Sequence, residues 1–434
     1  VRAWLAIVGL VAGCGGSASS PVEPEPWSPA WVARERDRYL TDGAFRRAQL
    51  ERSLVNHQNL YSKQRLDAYG LGARGWDVLP VWNPRSRPVT AELASVLERG
   101  ERPQVSKQLP PLWDGTTPAT DAEWIALGRR VFFEYPMRSE VFMEWGLTKP
   151  ELARAVGVER TRDGSIPGLV VFADIDGETR VGITCAICHT SVRDGELVVG
   201  RARRSFDYGR LRIAYFADTG EFVAPVLAQR MATWGPGRAD VTEDNDEDPV
   251  AIPDLWGLRA MPALTQAGTI NHTGPVALAL RQETQLLHTN HQRVRPPREL
   301  AWALAMFLYS LEPPPQPAPP STPELARGKE LFTLHCKKCH ANAAYGGEPI
   351  PADKIGTDPA LANGTARGTG TYRVPALIRV ADGAPYLHHG VVPSLDALLS
   401  PARLDGPDAI PGHLAGTQLA ATDRAALIAF LGTL

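Results

Sequence analysis

The residues best suited to chemistry occur as two copies of one pattern. "ITCAICHTSV" runs from Ile183 to Val192 and "LHCKKCHANA" from Leu334 to Ala343. Each holds two cysteines separated by two residues, with a histidine directly after the second. On a helical turn, residues i, i+3 and i+4 lie side by side. Two thiols so placed can form thioethers to the vinyl groups of a haem while the imidazole ligates its iron. The pattern therefore reads as c-type haem attachment through Cys185, Cys188, Cys336 and Cys339, with His189 and His340 as proximal ligands, and two covalent haems in all. Zinc would need further Cys or His pairs, which are absent or distant. A thioredoxin-like redox pair would need neither the histidine nor the repetition.

What fills the other axial face of each iron separates an electron carrier from an enzyme. Downstream of the second motif, "IRVADGAPYLHHGVVPSLDALL" places His388 and His389 ahead of the last helical segment. His388 is the expected distal ligand of the second haem. His389 is the alternative, and a pair of surface histidines in a Gly-bounded turn is the bland reading. No methionine follows Met306, so the C-terminal part cannot supply a thioether of its own. Aligning "IPDL" (Ile252 to Leu255) with "VPAL" (Val374 to Leu377) sets Gln266 opposite His388 and leaves no histidine at that place in the first half. Either His272 or one of His288, His291, Met261 and Met231 closes the first iron, or that iron stays open to a small molecule. Gln266 and His272 are then the candidate catalytic residues.

The elements that must position these groups repeat as well. "ALGRRVFF" (Ala126 to Phe133) matches "ARGKELFT" (Ala326 to Thr333), and "ALAMFLYSL" (Ala303 to Leu311) matches "ALIAFLGTL" (Ala426 to Leu434). Each half thus has an entry helix, a CxxCH, a proline-led segment and a closing helix, in that order. "EPPPQPAPPSTPE" (Glu312 to Glu324) separates them as a stiff polyproline linker. Gly328 lies eight residues before Cys336, whereas Gly128 lies fifty-seven before Cys185, so the first half carries an insertion. The insertion includes "SIPGLVVFADIDGETRVGI", which reads as strands and turns. Residues 30 to about 75 are charge-rich, with apolar residues at helical spacing, and read as two amphipathic helices followed by a Gly/Pro loop. His57, within them, reads as surface.

Composition narrows the partners. The chain has 434 residues, 44% hydrophobic and 22% charged with a net charge of −2, which suits two or three globular domains and excludes the basic footprint of a nucleic-acid binder. At the N-terminus an apolar run too short to span a bilayer ends in "LVAGC". This fits an export signal with Cys14 as the lipidated first residue of a lipoprotein, followed by a Gly/Ser/Pro tether. The five cysteines are then all assigned, one to lipid and four to haem, with none left for a disulfide. "DVTEDNDEDP" (Asp240 to Pro249) could hold calcium through its carboxylates or be a solvated loop, since it lacks the glycine and spacing of an EF-hand. "RARRSFDYGR" (Arg201 to Arg210) offers arginines to haem carboxylates, or is a solvated basic loop.

At these residues the chain resembles the diheme cytochrome c peroxidase superfamily. "IGTDP" (Ile355 to Pro359) and "YRVPALIRVADGAPYLHHGVVPSLDALLSP" (Tyr372 to Pro401) are most similar to the rubber oxygenase branch. The resemblance implies that His388, as the histidine of "LHxG", closes the second iron, and that the first haem faces substrate. It does not imply cleavage of polyisoprene, because no distal substrate pocket can be matched. The expected fold is mainly α, with two cytochrome c-like haem domains in tandem and an N-terminal helical extension. The expected order is a signal (1–13), tether (14–29), helical region (30–120), first haem domain (121–312), linker (313–323) and second haem domain (324–434). The expected function is that of a periplasm-facing diheme oxidoreductase anchored to a bacterial membrane by lipid alone. One haem would relay electrons and the other meet a small oxidant such as peroxide or dioxygen. The alternative is an electron carrier with both irons six-coordinate, exchanging with a redox partner protein.

Overall fold

The computed structural model describes residues 24–69, 76–106, 108–240, 242, 244 and 246–434; the export signal, Cys14 and most of the tether lie outside them. The fold is helix-rich, and no helix among the described residues is long and apolar enough to cross a membrane.

Where the periodicity suggests two N-terminal helices, three form: α1 (Pro29–Thr41), α2 (Gly43–Ser53) and α3 (Leu60–Tyr69). Asp42 divides the first pair, because its extended backbone ends α1 and its side chain accepts from Phe45 N at 2.9 Å to begin α2. Asn59 starts α3 in the same way, accepting from Ser62 N at 2.7 Å. The extension packs on a buried helix, Pro275–Thr289. There the fully buried Glu283 carboxylate accepts the Tyr39 hydroxyl at 2.8 Å and the Trp76 indole N–H at 2.7 Å, with Arg298 at 3.4 Å.

The extension is not a separate region. Within the loop expected after it, β1 (Arg85–Pro88) pairs with a strand of the insertion in a four-stranded antiparallel sheet. With β2 (Arg138–Ser139), β3 (Leu169–Ala173) and β4 (Thr179–Ile183) the order is β1-β3-β4-β2. Helix α4 (Ala91–Glu98) buries Leu93 and Leu97 in the same cluster as Leu169, Val171 and Val181.

The repeat is structural. The first entry helix, Asp121–Glu134, begins with a capping box between Thr120 and Glu123 and packs on the closing helix Arg298–Tyr309. The second, Pro323–His335, is capped by Thr322 at the end of the linker and packs on Ala421–Leu431. Both pairs cross at a glycine. A methyl built at Gly128 would strike Ala303 O and Phe307 Cβ, and one at Gly328 would strike Ala426 O and Phe430 Cβ. Ala303 and Phe307 are the residues that the sequence repeat aligns with Ala426 and Phe430. The halves interlock through main-chain bonds, Ala251 N to His388 O at 2.8 Å and Arg373 N to Gln266 O at 2.9 Å.

Candidate haem sites

Each CxxCH histidine is oriented by the main chain. His189 ends the helical turn Ala186–His189 and its Nδ1 lies 3.1 Å from Pro253 O. His340 Nδ1 lies 2.6 Å from Tyr345 O, and the Pro375 carbonyl acts on the same ring. Pro253 and Pro375 are the prolines of "IPDL" and "VPAL", 122 residues apart. A carbonyl that takes the Nδ1 proton fixes the tautomer and leaves Nε2 as the ligand atom, as metal-bound histidines require. Burial pushes His189 down to about 4 and lowers His340, so both rings are neutral near pH 7. Burial pushes Cys185, Cys188 and Cys336 up to about 11, and all four motif cysteines are free of disulfides. Protonated thiols beside a neutral, oriented imidazole fit covalent c-type haem.

The frame around the first motif is tight. Gly168 has φ +89 and an added Cβ would lie 2.1 Å from Ile187 N, so only glycine lets the chain ahead of β3 touch the motif. The arginine-rich segment is neither a solvated loop nor free for haem carboxylates at its centre. Arg203 is fully buried and donates to Thr190 O and Pro167 O, each at 3.0 Å. Arg204 holds Asp254, beside Pro253, at 2.7 and 3.0 Å. These arginines brace the loops on which the motif and its carbonyl partner sit.

Within electrostatic reach of His340 lies a residue that sequence reasoning missed, His413. Its Nδ1 is buried without a partner among the described residues. Burial pushes it down to about 4, and His340 is near enough for its charge to oppose a proton there. The loop is pinned in three ways. His413 N donates to Ile355 O at 2.9 Å, the Arg403 guanidinium donates to Gly412 O at 2.6 Å and His413 O at 2.8 Å, and Gly412 at φ +89 lies directly on the Thr357 backbone. His413 itself is held at φ +47, a conformation a non-glycine residue keeps only when its surroundings impose it. The available signal was "IPGHLAG" (Ile410 to Gly416), a histidine in the loop just ahead of the closing helix.

His388 is placed differently. Its ring stacks on Tyr372 at 4.0 Å and lies 4.4 Å from the His389 ring. Both histidines line a cavity of about 240 Å³ between the halves, with Arg238, Asp248 and Asp358. The charge that acts on His388 is that of His389, not of His340.

The first-half candidates are not gathered around His189. His272 has both ring nitrogens engaged, Nδ1 with Met261 O at 2.6 Å and Nε2 with the Tyr309 hydroxyl, so it offers no lone pair to an iron. Gln266 Nε2 donates to Ala251 O at 2.9 Å, in the seam between halves. Met231 is buried against Gly209, and Met261 packs on Gly346 of the second half. His288 is in the last turn of Pro275–Thr289, and His291, beyond it, is exposed. The charged groups that act on His189 are instead Arg281, from that helix, and Asp254. In the acidic stretch, Asp240 is committed to Arg230 at 2.8 Å, and no cluster of three or more metal-ligating side chains forms among the described residues.

Comparison with known proteins bears on the C-terminal part. No curated protein matches the chain. A solved structure, described as a MauG-like protein associated with microbial copper homeostasis, is similar at 17% sequence identity and a TM-score of 0.39, over 75% of this chain and 92% of that one. Residues 325–434 match the cytochrome c family model. That segment holds nearly all of the entry helix, the second CxxCH, His413 and the closing helix, so it is the C-terminal part of the chain that is similar to cytochrome c.

Proposed function

We propose that the protein is a diheme c-type cytochrome oxidoreductase, with an electron-relaying haem in the second half and a ligand-accessible haem in the first. Cys336, Cys339 and His340 hold the relay haem, and His413 takes the distal place that the resemblance to rubber oxygenases assigned to His388. Cys185, Cys188 and His189 hold the other. Haem supplies one-electron chemistry at iron; the protein supplies ligands, orientation and exclusion of water. The observation that carries this reading is the asymmetry between the motifs. Nδ1 of both His389 and His413 is buried without a partner among the described residues, but only His413 feels the charge of His340, whereas no histidine acts on His189 and Arg281 and Asp254 do. A small oxidant such as peroxide or dioxygen is the proposed partner at the first site, with a redox protein exchanging electrons at the second. Export and a lipid anchor at Cys14 complete the proposal and place the domains on the periplasmic face.

The test is the ferric absorption and electron paramagnetic resonance spectrum. One low-spin and one high-spin haem are expected, with only the high-spin signal changing on addition of cyanide or peroxide. Two low-spin haems insensitive to both would replace this reading with that of a six-coordinate electron carrier.

A further inference from the structure

Two titratable side chains outside both CxxCH motifs bond to each other near the start of the N-terminal extension. His272 is 9% exposed and lies between a carbonyl and a phenol, that of Tyr309, the last residue of the first closing helix. The Met261 carbonyl can only accept, so at 2.6 Å it takes the Nδ1 proton. Burial lowers His272, with the Met261 carbonyl opposing, so the ring is neutral near pH 7 and its Nε2 holds a lone pair. That lone pair accepts the Tyr309 hydroxyl, whose other acceptor, Gly274 O, is farther away at 3.4 Å. The phenolic proton is therefore aimed at a base.

The pair is bonded across the seam to the second motif. Asn342, two residues beyond His340, donates to Ala260 O at 2.8 Å, and the next carbonyl along the chain is the one that holds His272. The Met261 methyl lies against Gly346, whose carbonyl accepts from Asn342 N at 3.0 Å. On the opposite side the Tyr309 ring meets Trp27 edge-on at 5.3 Å, and Trp27 lies 5.8 Å from Trp31. Trp27, Arg259, Tyr309 and the exposed Glu312 line a cavity of about 410 Å³. The pair thus stands between the second motif and the surface.

A phenol out of water gives up an electron far more readily when its proton leaves in the same step, because no uncompensated buried charge has to form on it. We propose that Tyr309 and His272 form a proton-coupled redox pair serving the second motif. In the step, Tyr309 loses one electron to a haem from which peroxide has withdrawn one, its O–H bond breaks, and an N–H bond forms at His272 Nε2. A one-electron reductant reverses it, and the proton crosses back. The inference rests on the reading above that the second motif carries haem and that the first admits peroxide.

The experiment uses the full-length, haem-loaded protein, its Tyr309→Phe variant, and His272→Gln, in which an amide oxygen still accepts the hydroxyl but does not take its proton. Hydrogen peroxide and, independently, flash-generated tris(bipyridine)ruthenium(III) serve as oxidants. Freeze-quench electron paramagnetic resonance reads the phenoxyl signal and its rate of formation. The wild type is expected to form the signal quickly, and more slowly in heavy water. Tyr309→Phe is expected to lose it, and His272→Gln to form it more slowly by about a hundredfold or more. A signal that survives in Tyr309→Phe, or that forms at the wild-type rate in His272→Gln, overturns the pair, as does a wild type silent with both oxidants. If peroxide changes neither haem and gives no signal, while ruthenium gives one that Tyr309→Phe removes, the open first iron is refuted and the pair stands.

Discussion

Replacing Gly128 with alanine tests the structural repeat and the rigidity it lends to the first site. In an exposed helix the change would stabilise by about 1 kcal/mol, because glycine loses more backbone freedom on folding. Here the new methyl would sit 1.9 Å from Ala303 O, 2.5 Å from Ala303 C and 2.7 Å from Phe307 Cβ. Normal carbon–oxygen contact is roughly 3.3 Å, so the two helices must part by about 1.4 Å. The obstacle is backbone and cannot rotate aside, which puts the cost near the upper end of overpacking, about 3 kcal/mol, and the net loss near 2 kcal/mol. The partner helix Arg298–Tyr309 buries nine residues and has little room to shift, whereas Ala421–Leu431 buries four. Gly328→Ala, with its methyl 2.1 Å from Ala426 O, is therefore expected to cost less than Gly128→Ala. Urea titration of the full-length haem protein, followed by far-ultraviolet circular dichroism and by absorption at each haem, reads both. An unchanged or raised midpoint for Gly128→Ala would refute the close crossing on which the repeat rests.

Three further outcomes follow from the same structure. His413→Ala should abolish the low-spin signal of the second haem and His388→Ala should preserve it; the opposite pattern, read by electron paramagnetic resonance, would return the ligand role to His388. Asp248 is pushed up to about 7, by burial first and then by Asp240 and Asp244, with Thr242 and Arg367 opposing and Arg238, Glu247, Asp358, His388 and His389 across the cavity. Because the folded value exceeds the unfolded one, the stability contributed by protonated Asp248 is complete below about pH 4 and lost as pH rises through 7. Asp248→Asn should accordingly raise Tm at pH 8 and leave it unchanged at pH 4, and an equal shift at both would refute the coupling. Glu283→Ala strands the Tyr39 hydroxyl and Trp76 N–H in the core and removes a carboxylate facing Arg298, a loss of about 3–5 kcal/mol. Faster limited proteolysis of the extension is the expected readout, and unchanged cleavage would count against its anchoring on Glu283.

The two CxxCH motifs stand out in the sequence because the chemistry they suggest is confined to five consecutive residues. The repeat was legible because close helix crossing demands glycine at one position and small or aromatic residues at fixed offsets. His413 did not stand out, because its burial depends on contacts that the local sequence does not encode. That burial is set by Gly412 lying on the Thr357 backbone, far away in sequence, and by Arg403 bonding to the Gly412 and His413 carbonyls. The adjacent His388 and His389 gave the louder signal and proved to line the seam between halves. β1 was hidden for a different reason. "RSRP" has no apolar alternation, and its pairing with β3 supplies the order its own residues do not encode.

The repeat also sets the two halves apart at one further position. His291 stands 122 residues before His413, the offset that relates Pro253 to Pro375, and both histidines adopt positive φ, 54° and 47°. Yet His291 is exposed, while the Nδ1 of His413 is buried. The elements leading to the two positions explain the difference. In the first half the fifteen-residue helix Pro275–Thr289 precedes His291, whereas a short loop precedes His413. The helix carries His291 out to the surface, whereas the pinned loop keeps His413 inside. The N-terminal extension is bonded to the same helix at Glu283. Helix and extension thus act together: one takes His291 to the surface, and the other is fastened to that helix through Glu283.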